Sequence, residues 1–384
     1  MKHAVAASVA LATFVAAAHG CGAFSASDVP AASDGGATGD AANACIPHDI
    51  NEDAGAPDAS CGGPGRVDLS SSPGHCGVCN HSCQTEACET GQCHVSDVVP
   101  FTFVPNNPPG AGALRAGILY MAQAGIIYQA PATGGSPAML LAGATIASTS
   151  LSPPFLAHDR LWTVGDQTKL FSFALEGSGL PQHEADGRVG AVATDGDVVY
   201  WANADNGEVR AVGNAVALLS DANIQGVYTM AADRDGLFLI VQPKAAGTKG
   251  KLLQRDANGQ AVRELLSDLT PSTQMTIEGG HVYWADTGGA VWRMEKATLQ
   301  KEPVTQVPAN RAFVKGLVVD AENVFVVTTD DGNGGTVTAS LHVASKCGGP
   351  ARLLRSDTFW GGALLADAQH LYWSHSTAIA RMAK

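Results

Sequence analysis

A short apolar strand that runs into an acid or a turn, followed by an apolar–aromatic pair, recurs between residues 113 and 373, and this repetition constrains the fold more than any other feature. Clear copies are Ala191-Val192-Ala193-Thr194-Asp195 with Val199-Tyr200-Trp201, Met275-Thr276-Ile277-Glu278 with Val282-Tyr283-Trp284, and Ala363-Leu364-Leu365-Ala366-Asp367 with Leu371-Tyr372-Trp373. The aromatic anchors fall at Tyr120, Trp162, Tyr200, Phe238, Tyr283, Phe325 and Tyr372, spaced by 42, 38, 38, 45, 42 and 47 residues. Tight-turn signals such as Asp205-Asn206-Gly207 and Thr287-Gly288-Gly289 follow the aromatic strand, and Gly134-Gly135-Ser136 and Gly348-Gly349-Pro350 precede a closing Leu-Leu segment. Asn-Gly and Gly-Gly favour hairpins because they accept positive φ. A period near 40 with this internal order fits one four-stranded blade, and isolated blades would expose both faces, so they must stack around an axis. The expectation is an all-β, seven-bladed β-propeller over 98–384. Six blades is the alternative, because the copies at Tyr120 and Phe238 are degenerate.

The last repeat leaves room for only about three strands. Val98-Val99-Pro100-Phe101-Thr102-Phe103-Val104 has no repeat of its own and carries the β-branched and aromatic residues of an edge strand. An open blade edge invites aggregation, and Pro is tolerated on an outer strand. The segment is therefore expected to complete the last blade and close the ring.

The N-terminal quarter reads differently. Met1-Lys2-His3 and the apolar run Ala4 to Ala18 form an export signal over 1–20, too short to span a bilayer stably. Ala16-Ala17-Ala18 suits ordinary signal peptidase. Ala18-His19-Gly20-Cys21 resembles a lipobox, which would make Cys21 a lipidated first residue and, with Gly22 after it, sort the chain to the outer membrane; without lipidation the protein is secreted. Residues 21–60 form an acidic tether, poor in large apolar groups. The stretch from Cys21 to Pro100 carries eleven acids against one base, Arg66, so most of the net charge of −13 sits there. No basic stripe points to nucleic acid.

A disulfide module is expected over 61–97. Nine cysteines leave eight once Cys21 is set aside: Cys45, Cys61, Cys76, Cys79, Cys83, Cys88, Cys93 and Cys347. In an exported chain they are expected to pair, and their connectivity is open among 105 possibilities. If the six from Cys61 to Cys93 pair among themselves, Cys45 and Cys347 are left to pin the module to the propeller. Zinc at Cys76-x2-Cys79 with His75, His81 and His94 is the weaker reading, since a structural site needs four deprotonated ligands.

The run His75-Cys76-Gly77-Val78-Cys79-Asn80-His81-Ser82-Cys83, then Ala87-Cys88 and Gly91-Gln92-Cys93, resembles the cysteine module of a group of myxobacterial secreted proteins and lipoproteins. In that group the module precedes propeller repeats with Val-Tyr-Trp strands. The resemblance covers roughly residues 60 to 384. The repeats are also similar to YWTD and NHL-like propellers, although the nearest match to Tyr-Trp-Thr-Asp is Tyr283-Trp284-Ala285-Asp286. The resemblance implies architecture and export, and no defined activity.

Candidate chemistry is sparse. The Tyr-Trp pairs read as packing between blades, whereas Trp292 and Trp360 break the register and are the ligand-face candidates. His281 and His370 share one repeat position with Arg160, Val198, Gly236 and Asn323, which marks a solvent-facing turn. Asp330-Asp331-Gly332-Asn333-Gly334-Gly335 reads as a hairpin loop rather than a calcium loop. No Gly-x-Ser-x-Gly elbow, His-Glu-x-x-His helix, P-loop or dinucleotide fingerprint occurs. No catalytic residue or cofactor is assigned. The leading reading is a monomeric binding or scaffolding module at the cell envelope, anchored to a membrane only through its N-terminal lipid, with a protein, peptide or glycan ligand. The alternative is a hydrolase or lyase with its site at the central channel.

Overall fold

A computed structural model describes most of residues 92–384, leaving out 102–109, 143–151, 176–179, 222, 246–247, 257–260, 309–311, 331–337, 359–363 and 376–377, and only short stretches before residue 92, the first at 58–59. The signal segment, Cys21 and Cys45 lie outside the described residues, as do Cys61, Cys76, Cys79, Trp360 and most of the 330–335 loop.

Seven antiparallel sheets follow one another along the chain. Blade 1 comprises Gly110–Arg115, Ile118–Gln123, Ile126–Pro131 and Ala138–Ala142. Blade 2 begins at Phe155–Ala157, blade 4 at Ile224–Asp233, blade 5 at Ser272–Glu278 and blade 6 at Ala312–Val319, and each of these has four strands in sequence order. Blade 3 has three, Val189–Thr194, Val199–Asn203 and Val209–Ala211, with a single bridge from Val209 to Leu219 blunting its outer edge. Blade 7 takes Leu365–Ala366, His370–His375 and Ala378–Ala383 from the C-terminus and its fourth strand, Ser96–Pro100, from before blade 1. The protein is a seven-bladed β-propeller, and the degenerate copies at Tyr120 and Phe238 each build a full four-stranded blade. First strands of adjacent blades contact one another, which places them around the axis.

Among the described residues the apolar core is divided into seven clusters, one at each boundary between blades. Strand alternation explains the Tyr-Trp pairs, since successive side chains leave a strand on opposite faces. Tyr283 joins the cluster shared with blade 6, and Trp284 the cluster shared with blade 4. Tyr372 likewise turns to blade 1 and Trp373 to blade 6. Each of these rings is at most 3% exposed. Full burial of a large apolar side chain is worth about 1.5–3 kcal/mol, so these rings join the aliphatic residues of each cluster in holding the blades together.

The ring closes in the expected place with a different strand boundary. The register pairs Ala378 with Pro100, Ile379 with Val99, Ala380 with Asp97 and Arg381 with Ser96. The pairing strand thus starts two residues earlier than the apolar pattern indicates and ends before Phe101. Phe101 packs edge-on against Tyr128 of blade 1, with ring centroids 5.4 Å apart, and Phe103 lies outside the described residues. The register shift leaves Val98 as the extra residue, and its carbonyl accepts the Gly135 N–H of blade 1 at 2.9 Å. A bulge commonly re-aims a group in this way.

The Gly-Gly turns are joints between blades. A Cβ at Gly134, where φ is +115°, would stand 3.3 Å from the Val98 carbonyl oxygen, so glycine serves both the backbone conformation and the close approach. Gly348 also lies beside blade 5, but a Cβ there would stand 3.6 Å from the Val304 carbonyl, an ordinary contact, so glycine serves only the φ of +106°. An arginine on the third strand braces each joint: Arg381 donates to the Ala132 carbonyl at 3.4 Å, and Arg293 to the Lys346 carbonyl at 2.9 Å.

Candidate functional site

The turns between first and second strands gather at one end of the channel, because every first strand lies at the axis. There they enclose a cavity of about 910 Å³. The wall includes Arg115, Asp159, Asp195, Asp233, Glu278 and Lys296, from blades 1 to 5, and Leu365 of blade 7. Six carboxylates and three cationic side chains line it.

The acids that mark each repeat are first of all turn-makers. Asp195 Oδ1 accepts the backbone N–H groups of Asp197 and Val198 at 2.9 and 2.7 Å. Asp367 Oδ1 accepts those of Gln369 and His370, both at 2.7 Å. Asp320 Oδ1 accepts those of Glu322 and Asn323 at 2.9 and 2.8 Å. Asp side chains favour turns by this bonding.

In the repeats of Asp195, Asp233, Asp320 and Asp367 the partner of the second oxygen follows the residue five positions on; Glu278 departs from this, since the Tyr283 hydroxyl bonds with Arg293 instead. Where that residue is tyrosine, its hydroxyl donates to the same carboxylate: Tyr200 to Asp195 at 3.0 Å and Tyr372 to Asp367 at 2.8 Å. Where it is Phe238 or Phe325, a lysine from the next blade takes its place. Lys296 of blade 5 reaches Asp233 at 2.6 Å and also binds Asp235, and Lys384 of blade 7 reaches Asp320 at 2.8 Å. Asp159 of blade 2, with Val164 five positions on, pairs instead with Arg115 of the preceding blade 1.

These contacts shift the titrations. Burial works against the Asp367 carboxylate, yet the two N–H groups and the Tyr372 hydroxyl outweigh it and hold its pKa below the ordinary value. Burial and the Asp195 charge push the Tyr200 phenol up. Burial disfavours the Lys296 ammonium, but Asp233 and Asp235 outweigh it and hold its pKa above the usual lysine value.

His158 and Asp159, the turn of blade 2, both have left-handed backbones, with φ of 50° and 53°. Blade 1 uses Ala116-Gly117 and blade 5 Gly279-Gly280 at the corresponding turns. A histidine in that conformation is strained, and the strain sits on the cavity wall. Asp197 and Arg234 are exposed at turn tips that also line the cavity.

The residues singled out from the sequence fall elsewhere. Trp292 lies on the third strand of blade 5, where its indole N–H donates to Asp286 at 3.2 Å and Lys301 Nζ stands 3.8 Å from its ring centroid. It is packed on the blade flank and does not line the cavity. His281 and His370 each open a second strand. Burial and then Arg293 hold the His281 pKa below the ordinary value. Among the described residues, no group of three or more His, Cys, Asp and Glu side chains is arranged to hold a metal ion. Cys83 and Cys93 form a disulfide, and Cys88 and Cys347 are disulfide-bonded too. The cavity wall itself was not singled out from sequence; its signal was the acid that ends each first strand.

No family model matches the sequence, and no curated protein matches it. The fold is shared with solved structures at low identity. The computationally designed Ika8 protein is 13% identical with a TM-score of 0.52, over 75% of this chain and 99% of that one. YCF48 bound to D1 peptide is 10% identical with a TM-score of 0.52, over 76% and 94%. A chain of a mitotic checkpoint complex is 13% identical with a TM-score of 0.52, over 76% and 93%.

Proposed function

We propose that the propeller is a binding module whose site is the channel mouth, and that its partner is a protein or peptide segment bearing lysine or arginine. The observation that carries this reading is the cavity of about 910 Å³ with six carboxylates against three cations on its wall. Wall carboxylates such as Asp195 and Asp233 are fixed by their own turns or by a lysine, so the cavity is preformed and a partner would meet little ordering cost. Among the described residues no aromatic ring lines the cavity, which favours a peptide over a glycan. YCF48, a propeller of this fold, is found with a D1 peptide, and another sits in a mitotic checkpoint complex; both support the class of partner. The cysteine module and signal segment complete the reading. Export takes the chain to the envelope, and lipid on Cys21 holds it at a membrane.

The test is fluorescence anisotropy with labelled lysine- and arginine-containing octapeptides, an acidic set serving as control. Cationic peptides should bind, more weakly as salt rises, and Asp197→Asn with Glu278→Gln should weaken binding about tenfold. Equal binding of both peptide sets, or an unchanged affinity in the double variant, overturns the site. Palmitate labelling that is lost in Cys21→Ser tests the anchor.

A further inference from the structure

Three of the turns between first and second strands carry two acids with one residue between them. They are Asp195-Gly196-Asp197 in blade 3, Asp233-Arg234-Asp235 in blade 4 and Asp320-Ala321-Glu322 in blade 6. In each, the first acid accepts the backbone N–H of the second, at 2.9 Å in all three. The first acid is half-buried and the second exposed. Two carboxylates in one turn repel each other, and a cation beside them relieves the repulsion. In blades 4 and 6 the following blade supplies it from the residue just past its third strand. Lys296 follows Ala290–Glu295 of blade 5, and its ammonium meets Asp233 and Asp235 together. Lys384 follows Ala378–Ala383 of blade 7 and meets Asp320.

Blade 3 has the two acids without the cation. In the sequence, the residue that follows the third strand of blade 4, Gly250–Asp256, is an alanine. The Tyr200 hydroxyl donates to Asp195 at 3.0 Å, but it is neutral and leaves both charges standing. Arg255 of blade 4 donates to the Leu218 carbonyl at the outer edge of blade 3. Among the described residues neither Asp195 nor Asp197 has a cationic partner. Both line the cavity, as do Asp233, Asp235 and Lys296. The wall thus shows one acid pair taken by the chain's own lysine and, one blade away, a pair of the same spacing with no lysine of its own.

We propose that Asp195 and Asp197 are the specificity-determining pair of the channel mouth, and that they take a lysine ammonium of the partner as Asp233 and Asp235 take Lys296. The inference rests on the binding reading above and narrows its partner to lysine. An ammonium is a compact point charge whose three donors can be divided between two carboxylates of one turn. The flat fork of arginine instead matches a single carboxylate side-on. The Asp195 oxygen that accepts the Tyr200 hydroxyl has a second lone pair, and Asp197 gives the turn only its backbone N–H. Glu278 is the other wall carboxylate without a cation among the described residues. Its turn has Gly280 in the place of a second acid, so it offers one carboxylate only.

Anisotropy of the full chain with the same octapeptides, lysine and arginine sets kept apart, tests the pair. Lysine peptides should bind more tightly than arginine peptides. Asp197→Asn should weaken lysine peptides about fivefold, the reach of an exposed ion pair, and leave Tm unchanged because the turn keeps its bond. Glu278→Gln alone should cost less than about twofold. Glu322→Gln removes the same charge from a filled pair off the cavity wall and should cost nothing. Lys296→Met frees Asp233 and Asp235, so a peptide with two lysines should then gain about fivefold. The proposal is overturned, and the binding reading left standing, by a loss that follows Glu278 rather than Asp197, by equal affinity for lysine and arginine, or by no gain in Lys296→Met. Failure of both cationic sets to bind removes the binding reading and the inference with it.

Discussion

Replacing Lys384 by methionine tests the rule that an inter-blade lysine stands in for a missing tyrosine hydroxyl. Lys384 and Asp320 are 12% and 22% exposed at their side chains and meet at 2.8 Å. The pair is largely withdrawn from water, so the weak values measured for surface ion pairs do not apply. A hydrogen bond to a charged group contributes about 1.5–3 kcal/mol. Asp320 keeps its two backbone donors in the variant, which caps the loss, and about 2 kcal/mol is expected. Unfolding entropy of about 2.1 cal/mol/K per residue gives about 0.6 kcal/mol/K over the propeller, so Tm should fall by about 3 °C in calorimetry. Phe325→Tyr in the Lys384→Met background places a hydroxyl where Tyr200 and Tyr372 carry theirs. It should recover about 1 kcal/mol. A fall in Tm below about 1 °C for Lys384→Met, or a Phe325→Tyr that destabilises both backgrounds alike, refutes the exchange between hydroxyl and lysine.

Gly134→Ala should cost about 1–3 kcal/mol by thermal melt, since φ is +115° and the new Cβ meets the Val98 carbonyl. Gly349→Ala, at φ +122° with nothing within 4 Å, should cost less; equal losses would remove the joint from the explanation. Stability should also fall with acid. His342 is 5% exposed, both its ring nitrogens lack a partner, and burial lowers its pKa from 6.5. The unfolded chain therefore binds the proton first, and stability is lost as pH drops below 6.5 toward the folded value. Asp367 adds a second loss lower down: its depressed pKa contributes stability above 3.8 that disappears as pH falls through the folded value. Melts from pH 7.5 to 5 should steepen through this range, and His342→Leu should flatten them; an equally pH-sensitive variant would assign the slope elsewhere. Intact mass under non-reducing conditions should be eight hydrogens below the reduced mass, and a smaller difference would mean that some of the eight cysteines other than Cys21 are unpaired.

What the sequence reveals here depends on how far apart the partners lie. Tyr283-Trp284 announces its own use, because a two-residue alternation needs no knowledge of the rest of the chain. Strand boundaries at the closure were harder to read. Phe101 and Phe103 look more strand-like than Ser96 and Asp97, yet an outer strand is half solvated, and the polar pair takes the ladder while Phe101 turns to Tyr128. The joints were illegible locally: Arg381 and Ala132 are 249 residues apart, and Gly134-Gly135 read only as a hairpin turn. The channel wall lies between these cases. Asp233 and Asp320 were visible as repeat markers, but their lysines stand 63 and 64 residues further on. The local clue was the phenylalanine five positions after each of these aspartates, where the repeats of Asp195 and Asp367 have tyrosine. A turn carboxylate half withdrawn from water needs a donor for its second oxygen. Once the repeat loses its hydroxyl, that donor must come from the neighbouring blade. The Asp-x4-Phe repeats thus mark the boundaries where two blades are tied by charge, and the Asp-x4-Tyr repeats mark acids satisfied within one blade. A wall made partly of cross-blade ties and partly of self-contained turns carries its unspent charges, Asp197 and Arg234, at exposed turn tips, where a partner could reach them.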